Sequence, residues 1–287
     1  MKTPYFSFEN VSFLYPDGTE AIKNISLTVP IGKKIAILGE NGSGKSTFFK
    51  LLMGLERPTN GTILFNGEPI VYNKNGLKHL RQQVGLVFQE ADNQLFASTV
   101  KQDILYGPLN LDWSTETVKA QVDKAIKLTE LGEIENRPIH FLSGGQKKRV
   151  SIAGVYAMEP KVLILDEPTS SLDYYFSTQL ADYLQKLDTD NRTFLYSTHQ
   201  INLVYGWADY YIVLHKGELL YIGDGNSLFT NNAVLEKTHI EKPWIVSVTE
   251  MLKNNHPQWE NLNMPESKEA LINQLNVLME QNKVAKK

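Results

Sequence analysis

Three stretches of this sequence predict an α/β fold around a mixed sheet. "KIAIL" (residues 34–38) and "VLIL" (162–165) are short, uninterrupted apolar runs, the pattern of strands covered on both faces. Each is followed at once by residues that a buried strand does not need: "GENGSGKST" after the first and "DEPTSSLD" after the second. Between them "STETVKAQVDKAIKLTEL" repeats apolar residues at helical spacing.

In chain order, the first sixty-odd residues read as strands and hairpins. "SFLYPDGTEAI" sets an Asp-Gly turn between apolar residues and "TILFNGEPI" does the same with Asn-Gly, both strong hairpin signals. "KIAIL" then leads through the glycine-rich loop into a helix over "KSTFFKLLMGL" that ends near Gly54. A further buried strand is expected to end at Gln89. A helical stretch follows, from about 99 to 160, in which Ser114 caps a helix with Val118, Val122, Ile126 and Leu131 on one face. A second helix, starting at Ser143, has its small and apolar face at Val150, Ala153, Gly154, Ala157 and Met158. "TFLYSTH" and "DYYIVLHKGELLYIG" return to strands, the latter folding at Lys-Gly. From about 226 onward Asn, Lys and Glu increase, and the region reads as a helical appendage that includes "SKEALINQLNVLMEQ", with Leu271, Leu275 and Leu278 on its apolar face.

With 287 residues the chain can form one large domain or two smaller ones, and its net charge of −3 argues against a nucleic-acid binder held by a basic field. The absence of cysteine excludes disulfides and thiolate metal sites, and it fits a reducing cytosol. "MKTPYFSFENVSF" lacks the apolar core of a secretion signal, and no run reaches the ~18 apolar residues of a membrane span. Any membrane work therefore requires other chains for the spans.

Gly39, Gly44, Lys45 and Ser46 satisfy G-x-x-x-x-G-K-[ST]. Backbone N–H groups turn inward around an anion in such a loop, and the next helix aims its positive end at the same point. Lys45 would reach the β- and γ-phosphates of a nucleotide, and Ser46 the magnesium that bridges them. Asp166 and Glu167 stand where a buried strand emerges, and acids there are costly unless they serve a cation or reactant. Asp166 would hold the magnesium through water, and Glu167 would polarise the water that attacks the γ-phosphorus. "LSGGQ" (142–146) places a serine and two glycines at a helix start, which is a second anion site. Lys147, Lys148 and Arg149 crowd that end. They read either as a solvated basic face or as partners of a bound polyphosphate.

In these motifs, taken in order ("GENGSGKS", "LSGGQ", "VLILDE", "SSLD" and "STH"), the chain resembles the ATP-binding cassette family over residues 5 to about 225. The resemblance implies a P-loop NTPase with a RecA-like mixed sheet, an antiparallel β subdomain, a helical subdomain inserted at about 95–160, and ATP and Mg2+ as cofactors. Residues 226–287 would be a C-terminal appendage. It further implies that two cassettes close head to tail over two ATP molecules. One would hold the nucleotide with Tyr15 stacked on adenine and the loop of Gly39, Glu40, Asn41, Gly42, Ser43, Gly44, Lys45, Ser46 and Thr47. The other would contribute Ser143, Gly144, Gly145 and Gln146, with Asp173 crossing the interface. Glu167, His199 and Gln89 take the catalytic roles, and Ser46, Gln89 and Asp166 the metal. The other histidines, His79, His140, His215, His239 and His256, read as non-catalytic. The family often has proline after this aspartate, whereas here Tyr174 and Tyr175 follow.

The segment "FQEADNQLFASTVKQDILYGPLNL" (88–111) and the tail "LEKTHIEKPWIVSVTEML" are similar to energy-coupling-factor ATPases of the cobalt and nickel type. Trp244 in that tail reads as a core anchor. This similarity implies an ATPase at the cytoplasmic face of the membrane, paired as a homodimer or with a related cassette. A transmembrane scaffold would dock near Gln89 to Phe96, and a membrane subunit would capture a metal ion or vitamin. A soluble cassette clamping a ribosome or DNA is the rival reading, and a phosphoryl-transferring kinase is disfavoured by "LSGGQ".

Overall fold

The computed structural model describes residues 3–170, 172, 177, 179, 180, 183, 184, 192–256, 259, 260 and 262–285. Its strands form two sheets. One is antiparallel, in the order β2 (Glu20–Val29), β1 (Phe6–Leu14), β4 (Asn60–Phe65), β5 (Glu68–Pro69). Both expected hairpins are in it, and the tight turn between β4 and β5 has Asn66 and Gly67 at positive φ, as the Asn-Gly pair favours.

The second sheet runs β10 (Glu218–Gly223), β9 (Tyr210–His215), β3 (Lys34–Leu38), β8 (Thr193–Ser197), β7 (Val162–Leu165), β6 (Val84–Val87). All its neighbours are parallel except β10, which folds back on β9. The carboxyl ends of β3, β8, β7 and β6 therefore lie along one edge, and each is followed by one of the motifs read from sequence. This is the edge at which open α/β sheets bind ligands.

Both faces of the parallel sheet are covered, which explains its apolar runs. Along β7, Val162 and Ile164 pack with the antiparallel sheet and helices α1 (Lys45–Leu52) and α2 (Lys74–Gln83), in a core that includes Phe8, Ile35, Phe48, Leu80 and Ile212. Leu163 and Leu165 face the other way, into a core shared with helices α3 (Val100–Leu109), α4 (Thr115–Leu128) and α5 (Gly144–Tyr156). Ser114 caps α4 through the Thr117 N–H, and Val118, Val122 and Ile126 are buried on its inner side, while Leu131, also buried, lies past the helix end.

Two expectations are corrected. The strand expected to end at Gln89 stops at Val87, because its partner β7 has run out: the last ladder contact is the Asp166 N–H to the Val87 carbonyl, and Phe88 and Gln89 are exposed. Trp244 is no core anchor. It opens helix α9 (Trp244–Asn255) directly after Pro243, and its ring is 44% exposed while Ile245, Val246 and Thr249 are buried. Before it come the short helices α6 (Ile201–Val204), α7 (Gly225–Thr230) and α8 (Asn232–Thr238). After it comes α10 (Lys268–Ala285), of whose apolar residues Leu271 is buried.

Candidate functional site

β3 delivers the chain into the glycine loop at the centre of the sheet edge. At Gly39 an added Cβ would lie 2.2 Å from the Leu214 carbonyl oxygen, and at Gly44 2.6 Å from that of Ala21, so neither position has room for a side chain. Both also have positive φ, 147° and 107°. Gly44 is the N-cap of α1 and gives it no side-chain cap. The Ser43 hydroxyl is buried and has no hydrogen-bond partner among the described residues. A buried hydroxyl and an uncapped helix start in one loop form a concave array of donors suited to an oxyanion.

Lys45 is only 5% exposed, and its Nζ donates to the carbonyls of Gly39 (2.8 Å) and Glu40 (3.1 Å). It also lies 3.5 Å from Oε1 of Glu167, and the other oxygen of that carboxylate is 3.6 Å from Nδ1 of His199. Three motifs far apart in sequence thus meet at one carboxylate, which arrives from β7 while the histidine follows β8. Ser197, the last residue of β8, organises the junction. Its hydroxyl donates to Oδ1 of Asp166 (2.7 Å) and accepts from the Glu167 N–H (2.8 Å). Glu167 sits at φ 40°, a left-handed conformation that costs a non-glycine residue about 1–2 kcal/mol, and the bond to Ser197 helps hold it there.

The signature helix α5 begins with a complete capping box. Ser143 Oγ accepts from the Gln146 N–H (3.3 Å), and Gln146 Oε1 accepts from the Ser143 N–H (2.9 Å). The Gly144 N–H and the Ser143 hydroxyl proton are left over at this end, whereas Gly145 is buried. Ser143 and Gly144 are exposed, and a Cβ at Gly144 would meet nothing within 4 Å.

The basic run behind this end is not a solvated face. Lys148 is 3% exposed and donates to the carbonyls of Phe88 (2.9 Å) and Gln89 (2.6 Å). Burial lowers its pKa to about 8, against the opposing pull of Glu90 and Asp166. Lys147 pairs with Asp92 at 2.6 Å, and Arg149 reaches the carbonyls of Thr129 and Glu130 and the Tyr183 hydroxyl. Neither reading of the run, solvated face or polyphosphate partner, foresaw these bonds, because sequence gives no hint that the end of β6 lies beneath α5.

The remaining candidates are distributed around this edge. Tyr15 is half-buried. Its hydroxyl lies 3.0 Å from Thr47 Oγ1, its ring stands edge-on to Phe13, and Lys50 lies over it at 5.6 Å. Asn41, Gly42 and Ser46 are exposed. Asp173, with Tyr174 and Tyr175, lies outside the described residues.

Sequence reasoning missed the contribution of the C-terminal region. His239, set aside as non-catalytic, places Nδ1 2.6 Å from Oε1 of Glu40 in the phosphate loop, and this bond holds the Glu40 carboxyl below its ordinary pKa. The Trp244 N–H donates to Asn202 Oδ1, three residues past His199. A cavity of about 470 Å³ lies between Glu40, the His199 loop and the stretch from Thr238 to Glu241.

With this geometry in place, comparison with known proteins is informative. The sequence pattern of the family described as ABC transporter matches residues 22–170. The "Energy-coupling factor transporter ATP-binding protein EcfA2" of Methanospirillum hungatei is 41% identical over 251 residues, which is 88% of this chain; the chain spans 63% of that relative's length. Among solved structures, cbiO1 from Clostridium perfringens, described as part of the ABC transporter complex cbiONQ, is 38% identical. It has a TM-score of 0.75, covering 86% of this chain and 99% of that one. A dimeric post-hydrolysis state of the ATP-binding cassette MJ0796, bound to ADP and Pi, is 28% identical with a TM-score of 0.68, covering 76% and 98% respectively.

Proposed function

Since the chain belongs to the ABC transporter family of ATP-binding cassettes, we propose that it is the ATP-hydrolysing subunit of an energy-coupling-factor importer. The observation that carries this reading is the meeting of Lys45, Glu167 and His199 at one sheet edge, beside a glycine loop whose buried Ser43 hydroxyl has no partner among the described residues. In this reading residues 1–225 form the cassette, with its helical part at about 95–160, and 226–287 the appendage.

ATP would lie with its phosphates in the loop of residues 39–47 and its adenine against Tyr15. Lys45 would exchange a carbonyl contact for phosphate oxygens and thereby free the Glu167 carboxylate it now approaches. Glu167 would then accept the proton of the attacking water, while His199 bonds the γ-phosphate and Gln89 orients the water. Ser46, Asp166 and Gln89 supply a hydroxyl, a carboxylate and an amide, a hard oxygen set that fits magnesium shared with phosphates. When bound, that ion neutralises charge developing between the β- and γ-phosphates. The open end of α5 would receive the nucleotide of a second cassette, identical or related, so that Ser143, Gly144, Gly145 and Gln146 complete the neighbour's site. The dimeric cassette with ADP and Pi supports this arrangement, as does the room around Gly144.

Among the described residues no helix is long and apolar enough to cross a membrane. Transport would therefore need a transmembrane scaffold, docked on the exposed Phe88, Phe96, Tyr106 and Leu109, and a subunit that captures a cobalt or nickel ion or a vitamin. The chain itself would sit at the cytoplasmic face. The test is Glu167→Gln. Hydrolysis should fall by roughly 10²–10⁴-fold with ATP still bound, and size-exclusion chromatography should show an ATP-dependent dimer. Hydrolysis at the parent rate would overturn the assignment.

A further inference from the structure

A buried ammonium is costly, and position 148 would accept an apolar side chain of similar volume more cheaply than a lysine. Lys148 is nevertheless 3% exposed, and among the described residues its hydrogen bonds go to two main-chain carbonyls rather than to a carboxylate. Those carbonyls belong to Phe88 and Gln89, the first residues past the end of β6, where the strand ladder no longer serves them. The same stretch is held at other points. The Phe88 N–H donates to Gln94 Oε1, Asp92 pairs with Lys147, and the N–H groups of Phe96 and Ala97 both donate to Asp103 on α3. Residues 88–97 are thus fixed to α5 by two consecutive lysines and to α3 by one aspartate. Gln94 also donates to the Leu86 carbonyl of β6, from which the stretch leaves the central sheet.

We propose that Lys148 is a positioning residue for hydrolysis: by holding the Phe88 and Gln89 carbonyls it makes the Gln89 main chain move with the signature helix, so that engagement of Ser143 sets where the Gln89 amide stands. The inference rests on the reading of Gln89 and of ATP hydrolysis given above. The geometry favours it because the contact is to backbone. A side-chain partner could swing away as α5 moves, whereas two carbonyls on adjacent residues fix the orientation of the peptide between them.

The test measures ATP hydrolysis by the full chain. Lys148→Met, of similar length and without donors, should lower kcat by roughly tenfold to a hundredfold with KM for ATP within about twofold, the signature of a misplaced group rather than lost binding. Lys148→Arg, which keeps donors in reach, should recover most of that loss. Gln89→Ala combined with Lys148→Met should be no slower than Gln89→Ala alone, since both act through one amide. A purely structural lysine would give additive losses. If Lys148→Met does not fold, Lys148→Gln, neutral and one bond shorter, is expected to fold and to hydrolyse ATP more slowly than Lys148→Arg. Parent-like kcat in Lys148→Met, or in Lys148→Gln where that variant stands in, overturns the proposal, and so do additive losses. A parent chain that hydrolyses no ATP overturns the underlying reading instead, and the two failures are distinguishable at the first measurement.

Discussion

On the proposed reading two helix starts in this molecule receive an anion, and they are built differently. At α1 the N-cap is a glycine with no side chain to offer, the neighbouring Ser43 hydroxyl is buried without a partner among the described residues, and a cation, Lys45, is already in place at 5% exposure. At α5 the N-cap serine and Gln146 satisfy each other in a capping box, the surroundings are open, and the cations behind it are engaged with other segments. At the first start the donors and the cation come from the same chain. The second is locally complete and presents its spare donors to solvent, which suits a site finished by another molecule. The contrast turns on side-chain capping: the uncapped start leaves its first N–H groups available to a ligand, and the capped one satisfies part of its own.

The largest effect should come from the buried end. Lys45→Ala removes the cation and leaves two carbonyls and the Glu167 carboxylate facing the phosphates, so ATP affinity should fall by at least about a hundredfold in equilibrium binding to the isolated chain. Affinity within threefold of the parent would remove the basis for distinguishing the two starts.

An intermediate effect is expected from Gly144→Val. An added Cβ meets nothing within 4 Å among the described residues, so ATP binding by the monomer should be unchanged and thermal unfolding nearly so. Hydrolysis should fall by roughly a hundredfold, as expected when donors to a developing charge are displaced. Binding and hydrolysis assays on one preparation separate the two. Parallel losses in both would place Gly144 in its own chain's nucleotide site and end the comparison.

Much of this was legible in the residues themselves. The strands at 34–38 and 162–165, the Asn-Gly turn, the cap at Ser114 and the helix start at Ser143 all depend on local patterns of period, turn chemistry and capping, and each is found where the pattern put it. Long-range supports were not legible. Ser197 is one more small residue in an apolar strand until the sheet order β3, β8, β7 puts it beside Asp166. Lys148 belongs to a basic run of a kind usually solvated, and only the crossing of α5 over the end of β6 buries it. His239 lies 199 residues from Glu40, and Trp244 was misread because burial of an aromatic depends on what packs over it. Local signals identified the chemistry; tertiary contacts determined which groups support it.

The smallest effect is expected at Ser143, where two roles of one hydroxyl can be separated. Ser143→Ala breaks the capping box and should cost about 1 kcal/mol, which lowers the thermal midpoint of a chain this size by roughly 2–4 °C. It also removes one outward donor, so hydrolysis should drop by about tenfold, in line with one hydrogen bond to a charged group. Ser143→Asp separates the roles, because aspartate caps a helix as well as serine does and favours the positive end of its dipole. If α5 faces a neighbour's phosphate, this variant should keep the parent's thermal midpoint yet hydrolyse more slowly than Ser143→Ala, since its carboxylate repels what the hydroxyl attracted. If α5 meets no phosphate, the aspartate should restore both stability and rate, and the second helix start would then be an ordinary capped helix.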